Sequence, residues 1–213
     1  MLIKKIHHKL VNQKSVKRLL TENRFFTRLY FNFLYIKQDP YHADGLSKQE
    51  ELDHAFRILP DQPFSKGLEV GCGEGKNTWR LRAICDSVDA IDISVTAIRK
   101  ARMHQPPATN FYTFDLVSDE FQKSYDFVFC ADVLHYVSLR QMDDVARKLT
   151  DTTTVGGLIE LVHVRSLSDD ESGIALKEFG AKTIHQYFLK LDNLKLIQDE
   201  STPLYRITLF QRV

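Results

Sequence analysis

Glu69-Val-Gly-Cys-Gly-Glu-Gly75 is the run in this chain best suited to hold a ligand. Glycines permit positive φ and let a ligand approach the backbone closely. The free N–H groups at a turn into a helix favour an anion. Spacing limits what such a turn can hold. A Walker-type phosphate loop needs G-x4-G-K-[ST], but position 70 is Val and Lys76 is followed by Asn77. A dinucleotide turn needs G-x-G-x-x-G, but after Gly71 and Gly73 the third position is Lys76, with Gly75 one place early. Asp92 stands 23 residues beyond Glu69, at the end of the next apolar run. A carboxylate there can accept both hydroxyl hydrogens of an adenosine ribose. Asp115 ends the following run, on the same edge, where a polar group could meet an adenine amino group; the alternative is a plain turn former.

Further candidates lie downstream. His135, in Asp132-Val-Leu-His-Tyr136, and His163, at the end of a later apolar run, could serve as a general base or touch an acceptor, with packing as the alternative. Tyr41 and His42 could close over a ligand or form an ordinary turn. Cys72 has no neighbour that would make it a reactive thiolate, and Trp79 reads as a core residue.

The elements that must position these residues alternate. Short apolar runs at 68–70, 88–93, 110–114, 125–130 and 158–164 read as strands, with helices near 76–84, 95–103 and 139–150 between them. Such alternation predicts βαβ units and a mainly parallel sheet. Ser94 and Ser138 suit helix caps, and Gln141 would complete a capping box with Ser138. An earlier helix is predicted from Ser47, boxed by Glu50, burying Leu52, Ala55, Phe56 and Leu59. After a polar loop, a helix near 182–191 leads to strands 194–199 and 204–212, joined by Glu200-Ser-Thr-Pro203 as an antiparallel hairpin. The turn-rich Asp39-Pro-Tyr-His-Ala-Asp-Gly separates residues 1–38 from a domain over 39–213.

The chain has 213 residues, 43% of them hydrophobic and 27% charged, which fits one soluble domain with an appendage. No apolar run approaches the ~18 residues of a membrane-spanning helix. The first residues lack the apolar segment of a secretion signal. Cys72, Cys85 and Cys130 are odd in number and form no C-x-x-C pair, so a disulfide framework or cysteine-rich zinc module is excluded; a cytoplasmic location and no metal are expected. The net charge of +1 hides an asymmetry. Residues 1–28 hold eight Lys/Arg against Glu22 alone, leaving 21 basic and 27 acidic residues elsewhere. Val16, Leu19, Leu20, Asn23, Phe26, Tyr30, Phe33 and Leu34 recur at helical spacing, predicting a basic amphipathic helix. It would pack over the main domain, or let residues 1–36 make a peripheral membrane or lipid contact. Nucleic acid is disfavoured because the acidic remainder would repel phosphate.

Leu-Glu-Val-Gly-Cys-Gly-Glu-Gly, Ala-Ile-Asp92-Ile-Ser, Phe-Asp115-Leu, Tyr-Asp-Phe-Val-Phe-Cys-Ala-Asp-Val-Leu-His-Tyr136 and Gly-Gly-Leu-Ile-Glu-Leu-Val-His follow in order over roughly residues 64–164. Together they resemble a class I S-adenosylmethionine-dependent methyltransferase. Asp39-Pro-Tyr41, Gln49-Glu-Glu-Leu52 and Gly180-Ala-Lys-Thr resemble the nodulation protein S type of N-methyltransferase, which acts on chitooligosaccharides; the basic stretch 1–36 is not part of that likeness. The resemblance implies a Rossmann-like fold with a seven-stranded, mostly parallel sheet, its last strand antiparallel, plus an N-terminal helical extension. It also implies S-adenosylmethionine as cofactor, S-adenosylhomocysteine as product and methyl transfer to N or O of a small molecule, an amino sugar or other carbohydrate or natural product. By position, Glu69, Gly71, Cys72 and Gly73 would surround the methionine portion. Asp92 with Ile93 would hold the ribose, Asp115 with Leu116 the adenine. Ala131 and Asp132 would line the donor methyl's surroundings, Tyr41 would cover the cofactor, and Asp132, His135 and His163 would be the catalytic candidates. Two alternatives remain: a nucleic-acid methyltransferase clamping phosphate with residues 1–28, and a non-catalytic domain of this fold acting as a binding partner.

Overall fold

The computed structural model describes residues 20, 22–36, 46–164, 179–202 and 204–213, with 46–48 described by backbone alone. Seven strands form one sheet: β1 (Phe64–Val70), β2 (Cys85–Asp92), β3 (Thr109–Thr113), β4 (Tyr125–Ala131), β5 (Thr153–Val164), β6 (Leu194–Ser201) and β7 (Tyr205–Arg212). Their order is β3-β2-β1-β4-β5-β7-β6. The first five run parallel, while β7 is antiparallel to both β5 and β6. The expected seven-stranded, Rossmann-like sheet with an antiparallel C-terminal hairpin is therefore present.

The helices are α1 (Arg24–Leu34), α2 (Leu46–Arg57), α3 (Thr78–Ile84), α4 (Val95–Ala101), α5 (Leu139–Thr152) and α6 (Ala181–Leu189). The central strands are apolar on both faces, as parallel strands covered on both sides must be. On one face Leu68, Val70, Val128, Ile159 and Leu161 pack with Met142, Val145 and Leu149 of α5 and with Ile184 and Phe188 of α6. On the other, Val88, Ala90, Phe127, Phe129 and Val162 pack with Leu52 and Ala55 of α2, Leu81 of α3 and Ile98 of α4.

Several local expectations needed correcting. The amphipathic helix is interrupted at Asn23, whose side chain accepts hydrogen bonds from the Phe25 and Phe26 N–H groups and so starts α1 anew. The buried face of α1 carries Thr27 and Phe31, not Phe26 and Phe33. Ser94 does cap α4, accepting from the Ala97 N–H at 3.1 Å. Ser138 sits at the N-cap of α5, but its hydroxyl donates to Gln141 Oε1 at 2.8 Å and caps no backbone group. Trp79 is exposed, because the short α3 turns Thr78 and Leu81 inward instead. β5 begins five residues early, its extra length entering through a register shift opposite Tyr125/Phe127.

Candidate active site

The chain turns from β1 to β2 and β3 on one side of the sheet, then crosses to β4 on the other. The crevice between the carboxyl ends of β1 and β4 is thus the switch point where open α/β sheets bind ligands. The glycine-rich turn occupies it. Gly71 and Gly73 have φ of +71° and +55°, in the left-handed region where other residues are strained. Backbone N–H groups of Gly71 and Cys72 both donate to Ile91 O, at 2.8 and 2.9 Å, tying the turn to β2. A side chain on Gly71 would place its Cβ 2.1 Å from Val133 Cγ2, so the turn and the end of β4 meet only because that atom is missing. Cys72 is buried within the turn; burial, then the nearby Glu69 and Asp92 charges, push its thiol well up, so it is inert.

Two buried acids flank the turn. Glu69, at the end of β1, accepts a hydrogen bond from the Thr78 hydroxyl, yet burial pushes its pKa up to about 8. Asp92 ends β2, its two oxygens accepting one N–H each, from Ser94 at 2.8 Å and from Gly73 at 3.0 Å. Burial raises Asp92 to about 6 against the pull of those bonds. Each Asp92 oxygen keeps acceptor capacity beyond its single bond. Ile93, next along, is half-buried.

Asp115 follows β3, and its carboxylate is engaged: Arg24 donates from Nε to Oδ2 at 2.9 Å and from Nη2 to Oδ1 at 2.5 Å. Arg28 stands 3.5 Å away and the Val117 N–H donates to Oδ1. Burial opposes the charge, but the Arg24 fork and the Val117 N–H hold the carboxyl below its usual range. Leu116 is buried beside it.

Arg24 belongs to α1, part of the stretch expected to pack over the domain, although none of its residues was named for the site. α1 lies over the crevice. Asn32 Oδ1 accepts from the Ser94 hydroxyl at 2.9 Å and the Thr96 N–H at 3.2 Å. Phe31 meets Tyr136 edge-on, ring centroids 5.2 Å apart. The buried Tyr35 places its hydroxyl 2.7 Å from where a Gly73 Cβ would be. Tyr41 and His42 lie outside the described residues, as do residues 37–45 and 165–178 around them and beyond β5.

On the β4–β5 side, Ala131 and Asp132 are half-buried at the end of β4. Asp132 has φ of +55°, an uncommon conformation for which Asp is among the better suited residues. Its Oδ1 accepts from the Val164 N–H at 2.9 Å, clamping the ends of β4 and β5. The following 3-10 turn, Leu134–Tyr136, brings His135 against His163: both are buried, with ring centroids 5.7 Å apart and planes at 82°. The structure places the glycine turn with Asp92 on one side of the crevice and Asp132, His135 and His163 on the other, while Asp115 is taken up by Arg24. Among the described residues no group of three His, Cys, Asp or Glu could hold a metal ion.

Asn32, Arg24 and Tyr35 escaped sequence reasoning because nothing local marks them; their partners are dozens of residues away. Thr78 was legible in principle as the residue opening α3 beside the turn.

Glycines that admit a ligand, unsatisfied acceptor capacity on Asp92 and a buried acid at the foot of the turn fit an adenosyl cofactor with a cationic amino-acid end. Residues 68–159 match the methyltransferase domain family. The chain is similar to nodulation protein S of Sinorhizobium fredii, 30% identical over 113 residues, which are 51% of this chain and 50% of that protein. It is equally similar, 30% over 122 residues, to phosphoethanolamine N-methyltransferase 3 of Arabidopsis thaliana, covering 55% of this chain but 25% of that one. These matches thus span half or less of the curated relatives. Among solved structures, the N-methyltransferase NodS of Bradyrhizobium japonicum, in complex with S-adenosylhomocysteine, superposes with a TM-score of 0.75 at 19% identity, over 87% of this chain and 98% of that one.

The fold is the one these solved S-adenosylmethionine-dependent methyltransferases share, and residues 68–159 match the methyltransferase domain family.

Proposed function

We propose that this chain transfers a methyl group from S-adenosylmethionine to nitrogen or oxygen of a small molecule, with an amino-sugar amine as the first acceptor to test. The observation that carries the reading is the joining of Gly73 to Asp92 at the switch point, where Asp92 retains acceptor capacity toward a ribose. The names of the two N-methyltransferase relatives support an amine acceptor. S-adenosylmethionine supplies a methyl on a positively charged sulfonium, already electrophilic, so the protein's task is alignment and exclusion of water.

In this reading Glu69, which burial raises to about 8, would meet the cofactor's ammonium, whose charge would favour the ionised carboxylate. Cys72, Gly71 and Gly73 leave room for its backbone, Asp92 and Ile93 hold the ribose, and Leu116 covers the adenine. Asp115 positions α1 through Arg24, so its contact to the base is made with that pair in place. Ala131 would line the surroundings of the donor methyl. Asp132 acts chiefly by holding the ends of β4 and β5 in register. His135 and His163 face the acceptor, one of them taking the proton an ammonium or hydroxyl acceptor must lose. Tyr41 would cover the cofactor from the segment after α1. The stretch 1–38, of which residues 20 and 22–36 are described, would serve as a cover, with 39–213 as the methyltransferase domain.

A cytoplasmic setting is consistent with three free, buried cysteines. Among the described residues no helix is long and apolar enough to cross a membrane.

Calorimetric titration with S-adenosylmethionine and S-adenosylhomocysteine tests the reading. Asp92→Ala should weaken both at least tenfold, about 1.4 kcal/mol. S-adenosylhomocysteine should then accumulate when glucosamine or a chitooligosaccharide amine is added. Failure of the folded wild type to bind either compound refutes the reading.

A further inference from the structure

α1 has two apolar faces, and the crevice uses only one. At roughly 100° per residue, Thr27, Phe31 and Tyr35 lie on one side of the helix and are buried. Phe25, Leu29 and Phe33 fall within roughly 80° of arc on the opposite side, and Ile36 follows just past the helix end. They are 69%, 54%, 61% and 70% exposed. Phe26 borders the stripe, and its ring meets Phe25 edge-on. Val95, between the two residues that Asn32 holds, is exposed as well. A contiguous outward patch of large apolar side chains on a soluble domain marks a docking surface.

Charge says what docks. α1 contains no acidic residue over Arg24–Leu34. Residues 1–28 carry eight Lys/Arg against Glu22, while the rest of the chain is net acidic by six. The basic run immediately precedes α1 in the chain, so an anionic surface is attracted to this stretch of sequence and repelled by the acidic remainder. Basic residues beside a stripe of Phe and Leu are the composition of a helix that lies in the headgroup region of a bilayer.

We propose that the outer face of α1, together with the basic residues before it, docks this protein on an anionic phospholipid membrane. Phe25, Leu29, Phe33 and Ile36 enter the headgroup boundary while Thr27, Phe31 and Tyr35 stay on the crevice. A protein partner or a second copy of the chain on the same stripe is a distinct outcome of the test.

The test is co-sedimentation of the full chain with vesicles of phosphatidylcholine alone and of an equal mixture with phosphatidylglycerol, in the absence of cofactor or acceptor. Wild type should sediment with the mixed vesicles only, and added salt should release it. Phe25→Ser/Leu29→Ser/Phe33→Ser should lower partitioning at least about tenfold while keeping the wild-type melting temperature, since these side chains are exposed. Lys14→Gln/Lys17→Gln/Arg18→Gln should weaken it too. Absence of binding to mixed vesicles at low salt overturns the proposal. So does binding that the triple serine variant leaves intact, or a concentration-dependent dimer that the variant abolishes without any vesicle binding. S-adenosylhomocysteine titration of the same samples reports separately on the crevice.

Discussion

Whether α1 is a fixed part of the domain or a cover that opens depends mostly on one ion pair. Replacing Arg24 by Gln removes two charge-assisted hydrogen bonds to Asp115, whose side chain is fully buried. Bonds to charged groups are worth about 1.5–3 kcal/mol each when a buried partner is stranded. The loss is offset in part, because Arg28 at 3.5 Å and the Val117 N–H remain on the carboxylate. The Arg24 Nη1 atom is also buried with no hydrogen-bond partner among the described residues, a cost the variant relieves. A net effect of about 2 kcal/mol on the opening of α1 follows, or about 30-fold. Amide hydrogen exchange at Phe31–Tyr35 reads that opening directly. Exchange there should quicken about 30-fold in Arg24→Gln, with α5 and the central strands unchanged. Arg24→Gln/Asp115→Asn should quicken it by much less than the two single changes combined, the mark of a coupled pair. The pH dependence has a definite sign. Asp115 is depressed in the folded protein, so its contribution is present above the unfolded value of about 3.9 and is lost as pH falls through the lower folded value. The variant and wild type should therefore converge only in acid. An Arg24→Gln effect below about threefold, or strict additivity in the double variant, would refute the latch.

Two further outcomes follow from the sheet. Gly71→Ala combines a φ of +71° with a Cβ 2.1 Å from Val133; it should cost about 2–4 kcal/mol in denaturant unfolding. In a Val133→Ala background about 1–2 kcal/mol should remain, the backbone part alone; full recovery would show that the conformation itself is not strained. Glu160, buried in β5 with neither oxygen hydrogen-bonded among the described residues, is held protonated because burial raises it well above the usual carboxylate range. Its stabilising proton is fully bound in both states below about pH 4.3, and the fold loses about 1.4 kcal/mol per pH unit as pH rises above that toward the folded value. The stability advantage of Glu160→Leu over wild type should accordingly grow between pH 5 and pH 7; a constant difference would mean Glu160 is ionised or hydrated.

What could be read from sequence was whatever local chemistry dictates. β4 is legible because a central parallel strand is covered on both faces and reads as a near-continuous apolar run, here Phe127–Cys130. The glycine turn was legible because only a few residues in a row can serve left-handed backbone between a strand and a helix. Glu160 was hidden by the same logic: one acid inside Leu158–Val164 does not change the pattern of the run, and only the packing of both faces shows that it is dry. α1 failed differently. A helix apolar on two opposite sides gives its periodicity no single direction, so the stripe through Phe26 and Phe33 suits either packing on the domain or an outward contact. The choice is made by polar contacts distant in sequence: Arg24 to Asp115, Asn32 to Ser94 and Thr96. Thr27 and Phe31 then follow inward, and the more apolar stripe is left facing out. Asp115 shows the limit most clearly. Its type and its place at the end of β3 could be read from the chain, but its partner could not. That partner changes its part from a lone carboxylate at the adenine end to the anchor of the helix that covers the crevice.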